Sequence, residues 1–298
     1  MRLVSAAPLV LDARDKRYAV PAFNTNGANY DMTRAALETA QEMRSPLIIQ
    51  EYEPNAAYRG YEYLINQVRQ LGDELGITVP VAVHLDHGHS FDSVVKAMKA
   101  GFTSVMIDAS HEPLDVNADI TRKVIEVARP LGVSVEAEIG YVKGNEPVTT
   151  KQIGRVPVPV KPGQPGARTR PGEAADFVAR VDVDMLAVAV GTTHGVYQTQ
   201  TDIDFELLEA IRATVSVPLV QHGTGGISLV DLTRLKDAGM AKINFGEGFR
   251  HDYIRHFADL TDNFEHLWHP WRIMQEIKNR LKETMKAIIK ALGADSRA

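Results

Sequence analysis

The sequence predicts an α/β fold, a single (β/α)8 barrel of the TIM type over residues 1–298, extended by a C-terminal helix. Three observations lead there. Eight short apolar runs alternate with segments of helical period, as sequential parallel strands joined by crossover helices require. The runs are largely continuous rather than alternating, which suits strands buried on both faces. Residues able to do chemistry gather at the C-terminal ends of the runs, where the active-site rim of such a barrel lies. A chain of 298 residues is long enough for one barrel of this kind.

Taken in order, Tyr18–Phe23 ends at Asn24 and precedes the helical segment Asn29–Arg44. Leu47–Gln50 leads through Glu51 to Tyr61–Leu75, and Val79–Leu85 delivers Asp86 and His87 before Phe91–Ala100. Ser104–Ile107 is followed by Asp108 and then Val116–Leu131. Val133–Ile139 carries Glu138 near its end, with Glu173–Arg180 as its helix. Met185–Val190 runs into Gly191-Thr-Thr-His194-Gly195 and then Phe205–Ala213. Leu219–Gln221 meets His222-Gly-Thr-Gly-Gly226 before Leu229–Ala238, and Ala241–Asn244 closes on Glu247 before Gly248–Leu260. All eight runs thus feed one face.

Two segments depart from the repeat. Residues 141–171 are rich in Gly, Pro and basic side chains (Lys143, Lys151, Arg155, Lys161, Arg168, Arg170), which reads as a long mobile loop. Residues 266–292 form a helical extension in which Ile273, Ile277, Leu281 and Ile288-Ile289 share a face. That stripe needs cover, from the barrel or from a second subunit.

Composition narrows the function. Hydrophobic residues make up 44% of the chain, enough for a large core. A net charge of −5 with no dominant Lys/Arg stripe argues against a nucleic-acid partner. The absence of cysteine excludes disulfides, thiolate zinc sites and cysteine nucleophiles. No segment approaches 18 consecutive apolar residues, so no membrane partner is expected and cytoplasmic location is the default.

His87, His194 and His222 each follow a different apolar run at an equivalent place. Three imidazoles from three strand ends suit a divalent metal, zinc first, with a coordination position left for substrate. A single histidine at a strand end is more often structural; three at matching places outweigh that reading. His84 lies two residues before Asp86, on the same side of an extended strand, and reads as a core or supporting group. Asp108 and Glu138 would be solvated strand-end carboxylates on the blander view. A metal-dependent hydrolase of the amidohydrolase type would carry His-x-His at the first strand, where this chain has Phe23-Asn24.

The chain resembles the class II, metal-dependent ketose-bisphosphate aldolases of the fructose- and tagatose-bisphosphate type. The likeness runs from Pro21-Ala-Phe-Asn24 through Val105-Met-Ile-Asp108-Ala-Ser-His111 and Val135-Glu-Ala-Glu138-Ile-Gly140 to Leu186-Ala-Val-Ala-Val-Gly191-Thr-Thr-His194-Gly195 and Lys242-Ile-Asn244. It implies a carbon–carbon lyase with one catalytic zinc on His87, His194 and His222, and Asp86 as the proton-transfer residue. It further implies Asp108 and Glu138 near a second divalent position, a second ion that is either divalent or monovalent, Asn24 and Asn244 against substrate oxygens, and a homodimer or homotetramer. The chemistry would be reversible cleavage between C3 and C4 of a ketose, Asp86 taking the C4 hydroxyl proton while a Lewis acid accommodates the electrons left at C3. Backbone N–H groups at Gly195, Gly223 and Gly225 would approach an anionic part of the sugar.

Three departures from the family pattern bear on the substrate. Gly225 stands where the family usually has a phosphate-binding serine, and Glu247 stands where it usually has threonine. Gln50-Glu51-Tyr52-Glu53 replaces a small hydroxyl residue after the second strand. A carboxylate against a phosphate dianion would cost on the order of several kcal/mol at an effective dielectric of about 20. The expectation is therefore an aldolase acting on a ketose that is not a bisphosphate, with basic residues of the 141–171 loop serving a distal anionic group. The alternatives are an ordinary fructose- or tagatose-bisphosphate aldolase and, with less support, a non-catalytic aldolase-like subunit, which would be expected to have lost metal ligands.

Overall fold

The computed structural model describes residues 1–142, 168–195, 202–262 and 269–298. Eight parallel strands, β1 (Val20–Asn24), β2 (Leu47–Tyr52), β3 (Val81–Gly88), β4 (Ser104–Ile107), β5 (Ser134–Ile139), β6 (Met185–Val188), β7 (Leu219–Gln221) and β8 (Met240–Phe245), follow one another in chain order and form a closed barrel. Closure is made by β8 on β1, with Ala22 opposite Asn244. Nearly every strand residue is buried, which explains why the runs read as continuous rather than alternating.

The helices are α1 (Ala6–Lys16), α2 (Tyr30–Met43), α3 (Glu53–Arg59), α4 (Tyr61–Glu74), α5 (Phe91–Ala100), α6 (Leu114–Ala128), α7 (Pro171–Arg180), α8 (Phe205–Thr214), α9 (Leu229–Ala238), α10 (Glu247–Asp262) and α11 (Pro270–Ala291). Several begin on a side-chain cap directly after a rim loop. Asn29 accepts from Met32 N, Ser90 from Ser93 N, Asp204 from Leu207 N and Ser228 from Asp231 N. Such caps fix where each loop stops and hence how far its side chains reach over the mouth. The helix expected over Val116–Leu131 begins instead at Leu114, just after Pro113, and its last turn, Arg129–Leu131, tightens to a 3-10 turn.

Two helices were not expected. In α1, Ala6, Val10 and Ala13 are fully buried and recur every three to four residues. This face touches β1, β3, β5 and β8 and so plugs the N-terminal end of the barrel, with Ala6 N donating to Ser134 Oγ. The short α3 grows from the end of β2, with Glu53 and Pro54 in its first turn.

The C-terminal helix finds its cover within the chain. Ile273, Ile277, Leu281, Met285, Ile288 and Ile289 are buried, and α11 packs on α2, α9 and α10. Its apolar stripe therefore supplies no argument for a second subunit. Of the expected loop over 141–171, residues 143–167, including Lys143, Lys151, Arg155 and Lys161, lie outside the described residues, as do 266–268 of the expected C-terminal extension.

Candidate active site

The C-terminal mouth of the barrel brings His87, His194 and His222 together: the ring centroids of His87 and His194 are 5.0 Å apart, and those of His87 and His222 4.7 Å. One nitrogen of each ring lies within 4.8 Å of those of the other two. The arrangement depends on a local irregularity. In an extended strand Asp86 and His87 would point to opposite faces, but the β3–β4 register shifts between Leu85 and Gly88 and His87 adopts φ 50°. Both side chains can then serve the mouth. Gly88 permits the bulge, because a Cβ there would sit 2.5 Å from the Met106 carbonyl oxygen. A non-glycine residue in the left-handed region marks strain of the kind retained where a side chain has a task.

Each ring has one nitrogen already held. His87 Nδ1 lies 2.7 Å from Asp108 Oδ2, His194 Nδ1 3.2 Å from the Val142 carbonyl, and His222 Nε2 2.8 Å from Glu136 Oε1. All three outer partners are acceptors, so each outer nitrogen carries a proton; the inner nitrogens of His194 and His222 present a lone pair, and that of His87 does so once a cation displaces its second proton. His87 Nε2 and His222 Nδ1 meet across 2.9 Å. This is the arrangement that metal-binding histidines show, with carboxylates and carbonyls orienting them from behind. The donor set fits zinc.

The electrostatics agree. Burial alone would lower the His87 imidazole, but Asp86 and Asp108 outweigh it and push it up to about 10. His194 is driven the other way, to about 3, by burial and the neighbouring rings. A proton and a divalent cation thus compete for the same place between these carboxylates and imidazoles. Burial, reinforced by Asp108, pushes Glu138 up to about 8. Glu138 Oε1 accepts from Val142 N at 3.2 Å, whereas its buried Oε2 has no hydrogen-bond partner among the described residues and lies 3.4 Å from His222 Nδ1. His87, Asp108 and Glu138 form a second group whose ligand atoms lie within 4.8 Å of one another.

Asp86 sits beside this cluster, 3.8 Å from His87 Nε2. Three carboxamides donate to it: Asn24 at 3.0 Å, Gln50 at 3.2 Å and Asn244 at 3.2 Å. Burial opposes the charge, but the surrounding imidazoles and Lys242 hold the Asp86 carboxyl below its ordinary value. The result is an ionised, oriented carboxylate.

The loops after β6 and β7 press on each other. A Cβ at Gly225 would overlap the Gly195 carbonyl oxygen, so no side chain fits there, and its other close neighbour is Glu247 Cβ at 3.4 Å. Glu247 is half-buried at the start of α10, and burial raises its carboxyl above the usual range. Gly223 has φ 67° and packs on the Thr193 carbonyl.

One expectation changes. Glu51 does not face a substrate: its carboxylate accepts from Thr25 Oγ1 at 2.7 Å and from Gly27 N and Ala28 N at 2.8 Å each, holding the β1–α2 turn. At the surface Arg168 pairs with Asp204 and Arg170 with Glu173 at 3.2 Å. His84 is fully buried with Nδ1 2.7 Å from Ser104 Oγ, the supporting place expected of it. Sequence reading placed Gln50 on the rim without its role of orienting Asp86, and missed Glu136 and Lys242 as members of the site. A signal existed for the last two: Glu136 lies two residues before Glu138 and Lys242 two before Asn244, on the same strand faces.

A closed (β/α)8 barrel with a three-histidine cluster and an oriented aspartate at its C-terminal mouth defines a metal-dependent barrel enzyme. The family described as fructose-bisphosphate aldolase class-II matches residues 4–297, and this chain belongs to it. It is an aldolase, a carbon–carbon lyase, of a family that depends on a divalent metal and acts on sugar phosphates. Among curated relatives, the fructose-bisphosphate aldolase of Staphylococcus epidermidis (strain RP62A) is 38% identical over 300 residues, covering 100% of both chains. That of Geobacillus stearothermophilus is 36% identical, covering 100% of this chain and 99% of the relative. Among solved structures, the YdjI aldolase of Escherichia coli K12 superposes with a TM-score of 0.83 at 29% identity, covering 100% of both chains.

Proposed function

We propose that this protein is a zinc-dependent class II aldolase that reversibly cleaves the C3–C4 bond of a ketose phosphate, with the ion on His87, His194 and His222 and Asp86 as the proton-transfer residue. The observation that carries this reading is the orientation of all three inner imidazole nitrogens toward one another beside the Asp86 carboxylate. When bound, the metal supplies a Lewis acid for the electrons left at C3. Asp86 receives the C4 hydroxyl proton in cleavage and returns it in condensation. Asn24, Gln50 and Asn244 keep its carboxylate aimed at the mouth. Asp108 is spent on His87 and Ser110, so its part is to hold His87. Glu138, with its unpartnered oxygen, stands nearer to any second cation position.

For the substrate, a fructose- or tagatose-type bisphosphate is supported by relatives 36–38% identical that carry the name fructose-bisphosphate aldolase. The withdrawal of Glu51 into the β1–α2 turn also removes one reason to doubt phosphate there. A second reading, a ketose with a free C1 hydroxyl, is favoured by Glu247 beside a Gly225 that has no room for a hydroxyl side chain. Burial raises the Glu247 carboxyl above its ordinary range, the direction that weakens its repulsion of a phosphate and narrows the difference. Steady-state kcat/KM for fructose 1,6-bisphosphate, tagatose 1,6-bisphosphate and fructose 6-phosphate decides the matter. A bisphosphate preference of tenfold or more sustains the first reading, and the reverse order sustains the second. Glu247→Thr, which needs no new space at 225, should shift the ratio toward C1-phosphorylated sugars if the second holds.

We place the enzyme in the cytoplasm as a homodimer or homotetramer. Among the described residues no helix is long and apolar enough to cross a membrane. Ile254 and Phe257 on α10 and Trp271 on α11 are exposed apolar side chains that a second subunit would cover. Retention of all three histidines with Asp86 argues against a non-catalytic subunit. Zinc content, retro-aldol turnover and sedimentation on one preparation test the whole reading: a metal-free, inactive protein would overturn it.

A further inference from the structure

Below the mouth, the barrel interior contains an ion pair that proton transfer does not use. Lys242 on β8 and Glu136 on β5 are both fully buried, and Lys242 Nζ donates to Glu136 Oε2 at 2.7 Å. The other oxygen, Glu136 Oε1, is the partner of His222 Nε2 at 2.8 Å. His84 Nε2 lies 3.6 Å from the Lys242-bound oxygen, and its ring is anchored by Ser104. Stability does not account for such a pair, since exchanging a buried ion pair for apolar residues of similar volume is often neutral or stabilising.

Its geometry does account for it. His87 and His194 turn Nδ1 outward to an acceptor and Nε2 inward, whereas His222 is reversed, with Nε2 outward and Nδ1 inward. A neutral imidazole presents one lone pair, and the hydrogen bond at the other nitrogen decides which. We propose that Lys242 and Glu136 are a positioning pair that selects the Nδ1-presenting tautomer of His222 and so sets the affinity of the mouth for its metal. Lys242 pins one carboxylate oxygen, which leaves the other aimed at the ring. Without Glu136 the ring has no charged acceptor behind it and exchanges between tautomers. This inference rests on the assignment of His87, His194 and His222 as metal ligands.

Two double variants separate positioning from structure. Glu136→Leu/Lys242→Met replaces the ion pair by apolar side chains, and Glu136→Gln/Lys242→Met keeps a neutral acceptor for His222 with no charge left unpaired. Zinc affinity of the metal-stripped proteins would be measured by competition with a chromophoric chelator, the histidine tautomers by ¹⁵N NMR, and folding by thermal melting. Glu136→Leu/Lys242→Met should melt at or above the wild-type temperature yet bind zinc 10–100-fold more weakly, the usual effect of losing a partner behind a ligand, with His222 as a tautomer mixture. Glu136→Gln/Lys242→Met should recover most of that affinity and the Nε2–H form. Wild-type zinc affinity in Glu136→Leu/Lys242→Met would overturn the positioning role, as would a Gln variant no tighter than the Leu variant. His222→Ala distinguishes the underlying assignment: if it binds zinc as tightly as wild type, the ligand set itself is wrong.

Discussion

Two charged clusters in this molecule use the same residue types to different ends. At the seam between α2 and α11, Glu38 accepts from Lys278 and Lys282 at 2.8 Å each and from Arg34 at 2.8 Å, with these side chains 13–27% exposed. In the barrel interior, Glu136 meets Lys242 and His222 at complete burial. The seam cluster keeps contact with water, suffers modest desolvation and ties the last helix to the second. The interior cluster bears the full desolvation cost and touches the imidazoles of the mouth. Charge at the seam therefore serves stability, whereas charge in the barrel is accounted for by what it does to its neighbours.

The largest effect that would sharpen this contrast lies at the mouth. Asp86→Ala should reduce cleavage by about 10²–10⁴-fold while zinc content stays near that of the wild type. Unchanged turnover would move proton transfer to another group, Glu138 first. Next, Ile277→Ala opens a cavity beneath the seam and should cost about 2–5 kcal/mol in denaturant unfolding, with kcat/KM per folded molecule unchanged. A parallel loss of kcat/KM would show that the seam and the mouth are coupled.

The seam also predicts an acid dependence. Burial would raise the Glu38 carboxyl, but Lys278, Lys282 and Arg34 overcome it and bring it from 4.5 to about 2. Because the folded value is depressed, the stabilisation is present above pH 4.5 and is lost as pH falls toward 2. It amounts to on the order of 2 kcal/mol after allowance for solvent screening. Glu38→Gln should flatten that part of the stability–pH curve, and an unaltered slope would remove the cluster from the account. Smallest of all, Lys286→Met at the exposed end of the seam, 3.2 Å from Glu42, should change stability by under about 1 kcal/mol.

Much of this was legible in the chain. The strands were readable because a parallel strand buried on both faces leaves a local apolar run, and the residues at its end belong to the mouth by the geometry of the barrel. For that reason His87, His194 and His222 stood out together, as did Asp86. The α11 stripe was equally plain, although not what would cover it. By contrast, α1 was missed because two alanines and a valine carry little apolar signal, and only the barrel's open end explains why small residues suffice there.

The sequence by itself determined the order of strands, the residues at the rim and the kind of ligand they suit, because burial and strand-end position are recorded locally. Tertiary structure alone decided which partner each buried polar group finds. Glu51 turned to backbone N–H groups of the β1–α2 loop, Lys242 reached Glu136 across the barrel at a separation of 106 residues, and a bulge at His87 turned that ring into the mouth. The reason is physical: a local pattern shows that a polar side chain is buried, but its hydrogen-bond partner comes from another strand, and only closure of the barrel brings the two within reach.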